Sequence, residues 1–419
     1  MSGEPAGSAD LDALDLSTLS QRDGEKWAVV RDGVLPAWVA DMDFPISPVI
    51  RRVLVRRIDT DLGYPAWFNE TGGGPLGEVF AERMRRRFGF VADPSHVRLF
   101  TDVNQAMQVV LHLGTSAGDA VALHTPACPP FEEVFTKLGR PPRTVPIRCR
   151  DGQWQLDMDR LADELRGRGA VPCRALLLVN PHNPTGRVFR REELKELAGM
   201  AIEHDLLVIS DEVHAELTYP GYKHIPFASL SEEIAARTVT LTSGSKAFNL
   251  AGARCAVAHI GVKEIREAVD AQRGILFGQV SAFGVDALKA AWADGDGWLD
   301  TVRALLDRNR RRVAEQLPDG IGYVMPEATY LAWLDCRSVG LGDDPSAFFE
   351  RDAKVLLCRG TEFGPEGKGF ARLNFATSLP VLDELLRRMR MALQRRVRRT
   401  GRSARRAAAA SRPHRPVDQ

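Results

Sequence analysis

RTVTLTSGSKAFNLAGAR, Arg237 to Arg254, is the stretch on which the reading of the whole chain turns. Its first six residues are β-branched or apolar apart from Arg237, and predict a short buried strand. Lys246 follows among hydroxyls (Thr242, Ser243, Ser245) and glycines (Gly244, Gly252), with Arg254 eight residues further on. In open α/β sheets ligands bind beyond the carboxyl ends of strands. Lys246 is therefore a candidate reactive amine, and the hydroxyls and Arg254 a candidate phosphate site. Taken alone, the same residues also read as a polar loop.

Outward from this stretch, short apolar runs alternate with helical ones. Val97–Thr101, Ala120–Thr125, Arg174–Asn180, Leu206–Ser210 and Ala256–Val262 read as strands; Asn104–Leu113 and Arg191–His204 read as helices. The alternation predicts an α/β fold with a mostly parallel sheet covered on both faces. Leu35–Pro48, dense in aromatic and acidic residues and bounded by prolines, reads as an extended arm. Val49–Thr60 and Pro75–Phe88 are helix candidates, the arginines of the latter forming a solvated face. Beyond about residue 290 a long arginine-rich helix, two strand-like runs and a final amphipathic helix predict a smaller α+β lobe. The expected organisation is a flexible N-terminus (1–20), an arm joining the small domain (21–50), a large domain (51–290), a small domain (291–395) and a disordered basic tail (396–419).

With 419 residues, 44% of them hydrophobic, and a formal net charge of +1, the chain has the composition of a globular enzyme. No apolar run approaches the ~20 residues that span a bilayer. The N-terminus lacks a charged-then-apolar leader, which predicts a cytoplasmic protein without a membrane partner. The six cysteines show no CxxC spacing, which argues against zinc or a disulfide framework. Nine arginines against one acid lie between Arg395 and Gln419, yet no aromatic accompanies them to stack bases, so no nucleic-acid partner is expected.

The strand ends supply further chemistry. A lysine flanked by phosphate-binding groups suits Schiff-base chemistry on pyridoxal phosphate, whose ring nitrogen needs a carboxylate to stay protonated. Asp211 directly follows the run LLVIS and can serve; it also reads as a structural or metal-site acid, although His214 stands alone beside it. Asn183, in NPHNPTG, is held in a turn by two Asn-Pro steps and can donate to a phenolate oxygen, or simply make the turn. Val103 and Asn104 open a helix whose free N–H groups favour phosphate. Arg372 lies in a strand-like run, and its partner is either a substrate carboxylate or an internal acid.

TSGSKAFNLAGAR, NPHNPTG and SDEVHAEL together resemble the fold-type I pyridoxal-phosphate enzymes of the class I/II aminotransferase group. WVADMDF, LGYP, SKAFNLAG, ATYLAWLD and RLNFATS resemble its MalY/PatB branch of cystathionine and cysteine-conjugate β-lyases, over about residues 20–395. The resemblance implies Lys246 as Schiff-base lysine and proton carrier, Asp211 on the pyridinium nitrogen and Asn183 on O3′, with His214 also at the cofactor. It implies Ser243, Ser245, Arg254 and the Val103–Asn104 backbone on the phosphate, and Arg372 on the substrate carboxylate beneath an arm that includes Ala40. It also implies Tyr64 reaching the phosphate of a neighbouring subunit, hence a homodimer with shared sites.

Two departures stand out. In TPACPPF, Cys128 occupies the place where the family commonly has an aromatic, usually tyrosine, stacked on the cofactor, and a thiol has another acid–base range. Arg254 matches the phosphate arginine typical of aminotransferases, which many lyases of this branch lack. The expected reaction is α,β-elimination from an S-substituted L-cysteine, giving thiol, pyruvate and ammonia. The alternatives are amino-group transfer, decarboxylation or oxidative deamination of an S-cysteine conjugate, and a non-catalytic regulator.

Overall fold

The computed structural model describes residues 11–69, 72–167, 171–272 and 276–410. A seven-stranded sheet has the order Val97–Phe100, Ala256–Ile260, Thr238–Thr242, Leu207–Asp211, Cys173–Val179, Ala120–Thr125, Pro142–Pro146. Neighbours from Thr238–Thr242 to Pro142–Pro146 pair in parallel. Ala256–Ile260 alone runs against the rest, pairing antiparallel on both sides. Ala120–Thr125 and Thr238–Thr242 are buried at every position, the pattern of strands covered on both faces.

Because six strands share a direction, the segments leaving them gather at one edge of the sheet. Asp102, Cys128, Asn183, Asp211 and Ser243 all lie on those segments. Local caps fix how the chain leaves each strand. Asp102 accepts from the Gln105 N–H (2.8 Å) to start the helix Val103–Gly114, and Ser243 accepts from the Ser245 N–H (3.0 Å) to start the turn of helix that carries Lys246.

A second, five-stranded sheet has the order Leu35–Ala37, Val355–Arg359, Phe370–Asn374, Leu331–Asp335, Gly322–Tyr323. The arm is thus an edge strand, parallel to Val355–Arg359. Arg372 sits in register with Trp333 and Cys358 across the sheet.

Three expectations are corrected. Residues 11–20 are packed rather than flexible: Leu11 and Leu19 are buried, and Asp12 pairs with Arg308 and accepts from the Leu379 N–H at 3.1 Å. Residues 1–10 lie outside the described residues. The final helix runs from Leu379 to Ala410, so the arginine run expected to be disordered from 396 continues it; residues 411–419 lie outside the described residues. Arginine and alanine are strong helix formers, which is the physical reason. Finally, the arginines of the Gly77–Phe88 helix are not all solvated. Arg83 is 1% exposed and holds Glu216, Asp296 (2.5 Å) and the Trp292 carbonyl (3.1 Å), tying this helix to two other segments.

Candidate active site

At the gathered strand ends lies a cavity of about 600 Å³. Of the residues singled out in the sequence, Ala40, Val103, Asn104, Cys128, Asn183, Asp211, His214, Ser243, Ser245, Lys246, Arg254 and Arg372 all line it. Tyr64 does not; it stands 84% exposed on the loop after the helix Pro48–Thr60.

Lys246 is half-buried at the start of the segment following Thr238–Thr242 and donates to the Ala40 carbonyl at 3.0 Å. Tyr330 donates to the same oxygen at 2.7 Å. Burial pushes the Lys246 ammonium below the ordinary lysine value, with Asp41, Cys128 and Asp211 acting against that shift. Asp211, at the tip of its strand, accepts from the Val213 N–H at 3.1 Å, and burial raises its carboxyl to about 6. Its neighbour Glu212 turns away to accept from Ser210 Oγ and the Phe227 N–H (both 2.9 Å) and to meet His224 Nε2 at 2.8 Å. The Asp-Glu pair therefore splits between a cavity acid and a structural one, and no cluster of metal-ligating side chains occurs among the described residues.

Asn183 accepts from Arg372 Nη1 at 3.1 Å, which commits its oxygen and leaves its amide N–H groups to donate. Arg372 also donates through Nη2 to the Trp38 carbonyl (3.0 Å) and stacks on Phe363, 4.9 Å from the ring centre. Its Nε is buried without a partner. His214 is buried edge-on to Tyr330; burial pushes it to about 3, so it is neutral, and its Nδ1 has no partner. Arg254 has a left-handed backbone (φ 52°) and pairs with Asp102 beside the free N–H groups of Val103 and Asn104. Burial pushes the Cys128 thiol up, so it stays protonated near neutrality.

This donor set fits pyridoxal phosphate. A buried acid awaits a ring nitrogen, an asparagine amide and an unpartnered histidine nitrogen await a ring oxygen, and a helix N-terminus with Arg254 and Ser245 awaits a phosphate, while Ser243 Oγ donates to the Cys255 carbonyl at 2.8 Å.

The arm expected over the site, Ala40–Phe44, is held by Tyr330, Asn249 and Asn374, which nothing in the sequence singles out. Asn374 Nδ2 donates to the Val39 (2.7 Å) and Asp41 (2.6 Å) carbonyls, while Asn249 bonds the Met42 N–H and carbonyl, both at 3.0 Å. These asparagines hold the arm over Lys246 from two sides. ATYLAWLD and RLNFATS contained two of these residues, but an apolar strand pattern does not show that a distant arm lies against it.

The family model for class I and II aminotransferases matches residues 70–389. Cystathionine beta-lyase PatB of Bacillus subtilis is 35% identical over 367 residues, covering 86% of this chain and 92% of that protein. The crystal structure of OvoB superposes with a TM-score of 0.82 at 36% identity, over 89% of this chain and 96% of that one. Cystalysin from Treponema denticola, whose structure contains pyridoxal 5'-phosphate, superposes with a TM-score of 0.83 at 29% identity, over 89% and 96%.

Proposed function

The chain belongs to the class I and II aminotransferase family, and on that premise we propose that it is a pyridoxal-phosphate-dependent carbon–sulfur lyase acting on S-substituted L-cysteines. One observation carries the reading: a lysine with a depressed ammonium, an acid held at about 6 and an arginine with a spare buried N–H converge on one cavity. Relatives named cystathionine beta-lyase over nearly the whole chain support the reaction type.

When bound, pyridoxal phosphate supplies an electron sink for the charge left on the substrate's α-carbon. Asp211 would keep the proton on the pyridine nitrogen, and Asn183 would donate to the ring oxygen. Ser245, Arg254 and the N–H groups at Val103–Asn104 would hold the phosphate, with Ser243, bonded to the Cys255 carbonyl and the Ser245 N–H, shaping the turn beneath it. Arg372 takes the substrate α-carboxylate through its fork, which orients the Cα–H bond towards Lys246. Lys246, its ammonium already weakened by burial, removes the α-proton as a neutral amine. The β-carbon–sulfur bond then breaks with its electron pair leaving on sulfur, and water completes the balance to thiol, pyruvate and ammonium. The decisive measurement is product analysis with cystathionine and simpler conjugates: thiol and pyruvate form in equal amounts. Amino transfer to a 2-oxo acid without thiol release overturns the reading.

That second reaction has one observation in its favour, the aminotransferase-like Arg254 at the phosphate end. We also infer a homodimer with shared sites, in sulfur amino-acid metabolism. The dimer is supported by three large hydrophobic side chains, Ile58, Leu62 and Tyr64, exposed within seven residues of chain.

A further inference from the structure

The phosphate end of the cavity holds an acid that the proposed reaction does not use. Asp102 lines the cavity and caps the helix Val103–Gly114, its Oδ1 accepting from the Gln105 N–H at 2.8 Å. Its Oδ2 accepts from Arg254 Nη2, an ion pair between residues 152 apart in the chain. Among the described residues that line the cavity, the lysines and arginines are Lys246, Arg254 and Arg372. Lys246 is the reacting amine, and Arg372 is tied to Asn183 and the Trp38 carbonyl. Arg254 is therefore the cation placed for a phosphate, and Asp102 already occupies it.

A phosphate monoester carries about −1.5 to −2 charge at pH 7. It would bind at the free N–H groups of Val103 and Asn104, on the same helix terminus that the Asp102 carboxylate caps. Two negative groups then share one helix N-terminus and one guanidinium. The charge that Arg254 gives to Asp102 is withheld from the phosphate, and the carboxylate itself repels a dianion beside it. Aiming the arginine is the smaller effect of the pair. The Arg254 side chain is 58% exposed, and surface pairs of that kind fix a side chain only weakly.

We propose that Asp102 is a counter-charge that loosens the hold on the cofactor phosphate, so that retention of the cofactor depends on its covalent bond to Lys246. This rests on the pyridoxal-phosphate reading, and it changes what Arg254 means for the reaction. Amino transfer passes through a stage in which the cofactor itself carries the amino group, as pyridoxamine phosphate, and is joined to no lysine. α,β-Elimination instead ends each turnover with the cofactor back on Lys246. A loose phosphate site suits elimination and disfavours transfer. The arginine that resembles an aminotransferase's is thus partly neutralised by an acid on the neighbouring helix.

Pyridoxamine phosphate is the probe, because it cannot form a Schiff base with Lys246 and so reports the non-covalent hold alone. Asp102→Asn removes the charge and keeps a residue that caps helices well. By titration calorimetry on cofactor-free protein, Asp102→Asn should bind pyridoxamine phosphate at least roughly fivefold more tightly than the wild type. Pyridoxamine, which lacks the phosphate, should bind the two proteins alike. In the loaded enzyme, the ratio of amino transfer to thiol release should rise with the same substitution. Should Asp102→Asn fail to fold, Asp102→Ser, which also caps, takes its place. Unchanged or weaker binding of pyridoxamine phosphate, or an equal gain for pyridoxamine, overturns the inference, and an unchanged ratio overturns its link to the reaction. A wild-type protein that never captures pyridoxal phosphate, seen as no shift of its absorbance, fails the cofactor reading instead.

Discussion

Asp211 carries a conflict that a bound cation resolves. Burial holds its carboxyl at about 6 in the cofactor-free protein, against 3.8 for an ordinary aspartate. The folded state therefore grips the proton more tightly than the unfolded chain. The associated stability is complete below about pH 4 and is lost as pH rises through about 6. Asp211→Asn removes this loss, so the cofactor-free variant should gain stability over the wild type between pH 4 and 7, by a few kcal/mol at most at about 1.4 kcal/mol per unit. Thermal unfolding across that range checks it; a difference that does not change with pH refutes it. The loaded variant should lose about 10²–10³-fold in thiol release. Lys246, Asp211 and Asn183 were legible because each follows an apolar run and belongs to a strand end. Tyr330 was not, because its hydroxyl meets the Ala40 carbonyl through a contact between residues 290 apart in the chain.

Among the elements, the Gly77–Phe88 helix shows what periodicity cannot convey. Four arginines in a short helix predict a wet face, yet Arg83 is sealed among Glu216, Asp296 and Trp292. Sequence spacing tells which side chains share a face, but acids more than a hundred residues away decide whether a charge on that face can be buried. Arg83→Met leaves Glu216 buried and uncompensated, and should cost about 3–5 kcal/mol, read as a lowered denaturant midpoint. Adding Glu216→Leu should recover much of that loss. A change below about 1 kcal/mol in the single variant would assign the arginine a minor part. The central strands Ala120–Thr125, Cys173–Val179, Leu207–Asp211 and Thr238–Thr242 follow from apolar runs between turn signals, whereas the polar edge strand Pro142–Pro146 and the strand Val355–Arg359 carry no such signal.

For the whole molecule, the α/β class and the smaller second lobe follow from the alternation of strands and helices, whereas the strand order and the packing of the ends do not. Residues 11–20 and 396–410 carry no sequence signal of their own packing: Leu11 and Leu19 are buried by distant segments, and the arginines beyond 395 extend a helix already begun. Assembly gives a further prediction. Tyr64 lies outside its own chain's cavity, so Tyr64→Ala should leave a single subunit's fold intact yet weaken pyridoxal-phosphate retention severalfold, measured by equilibrium dialysis, in a species that sediments at twice the chain mass. A monomeric wild type, or unchanged retention, counts against shared sites. One hydrogen-bond acceptor also sets the order in which the enzyme becomes complete. On the proposed chemistry, the amine that captures the cofactor is the same one that tethers Ala40, and loading then begins by releasing a clasp. Uptake should therefore approach a ceiling as cofactor concentration rises, visible in stopped-flow absorbance, with the plateau marking how often Lys246 lets go of the arm.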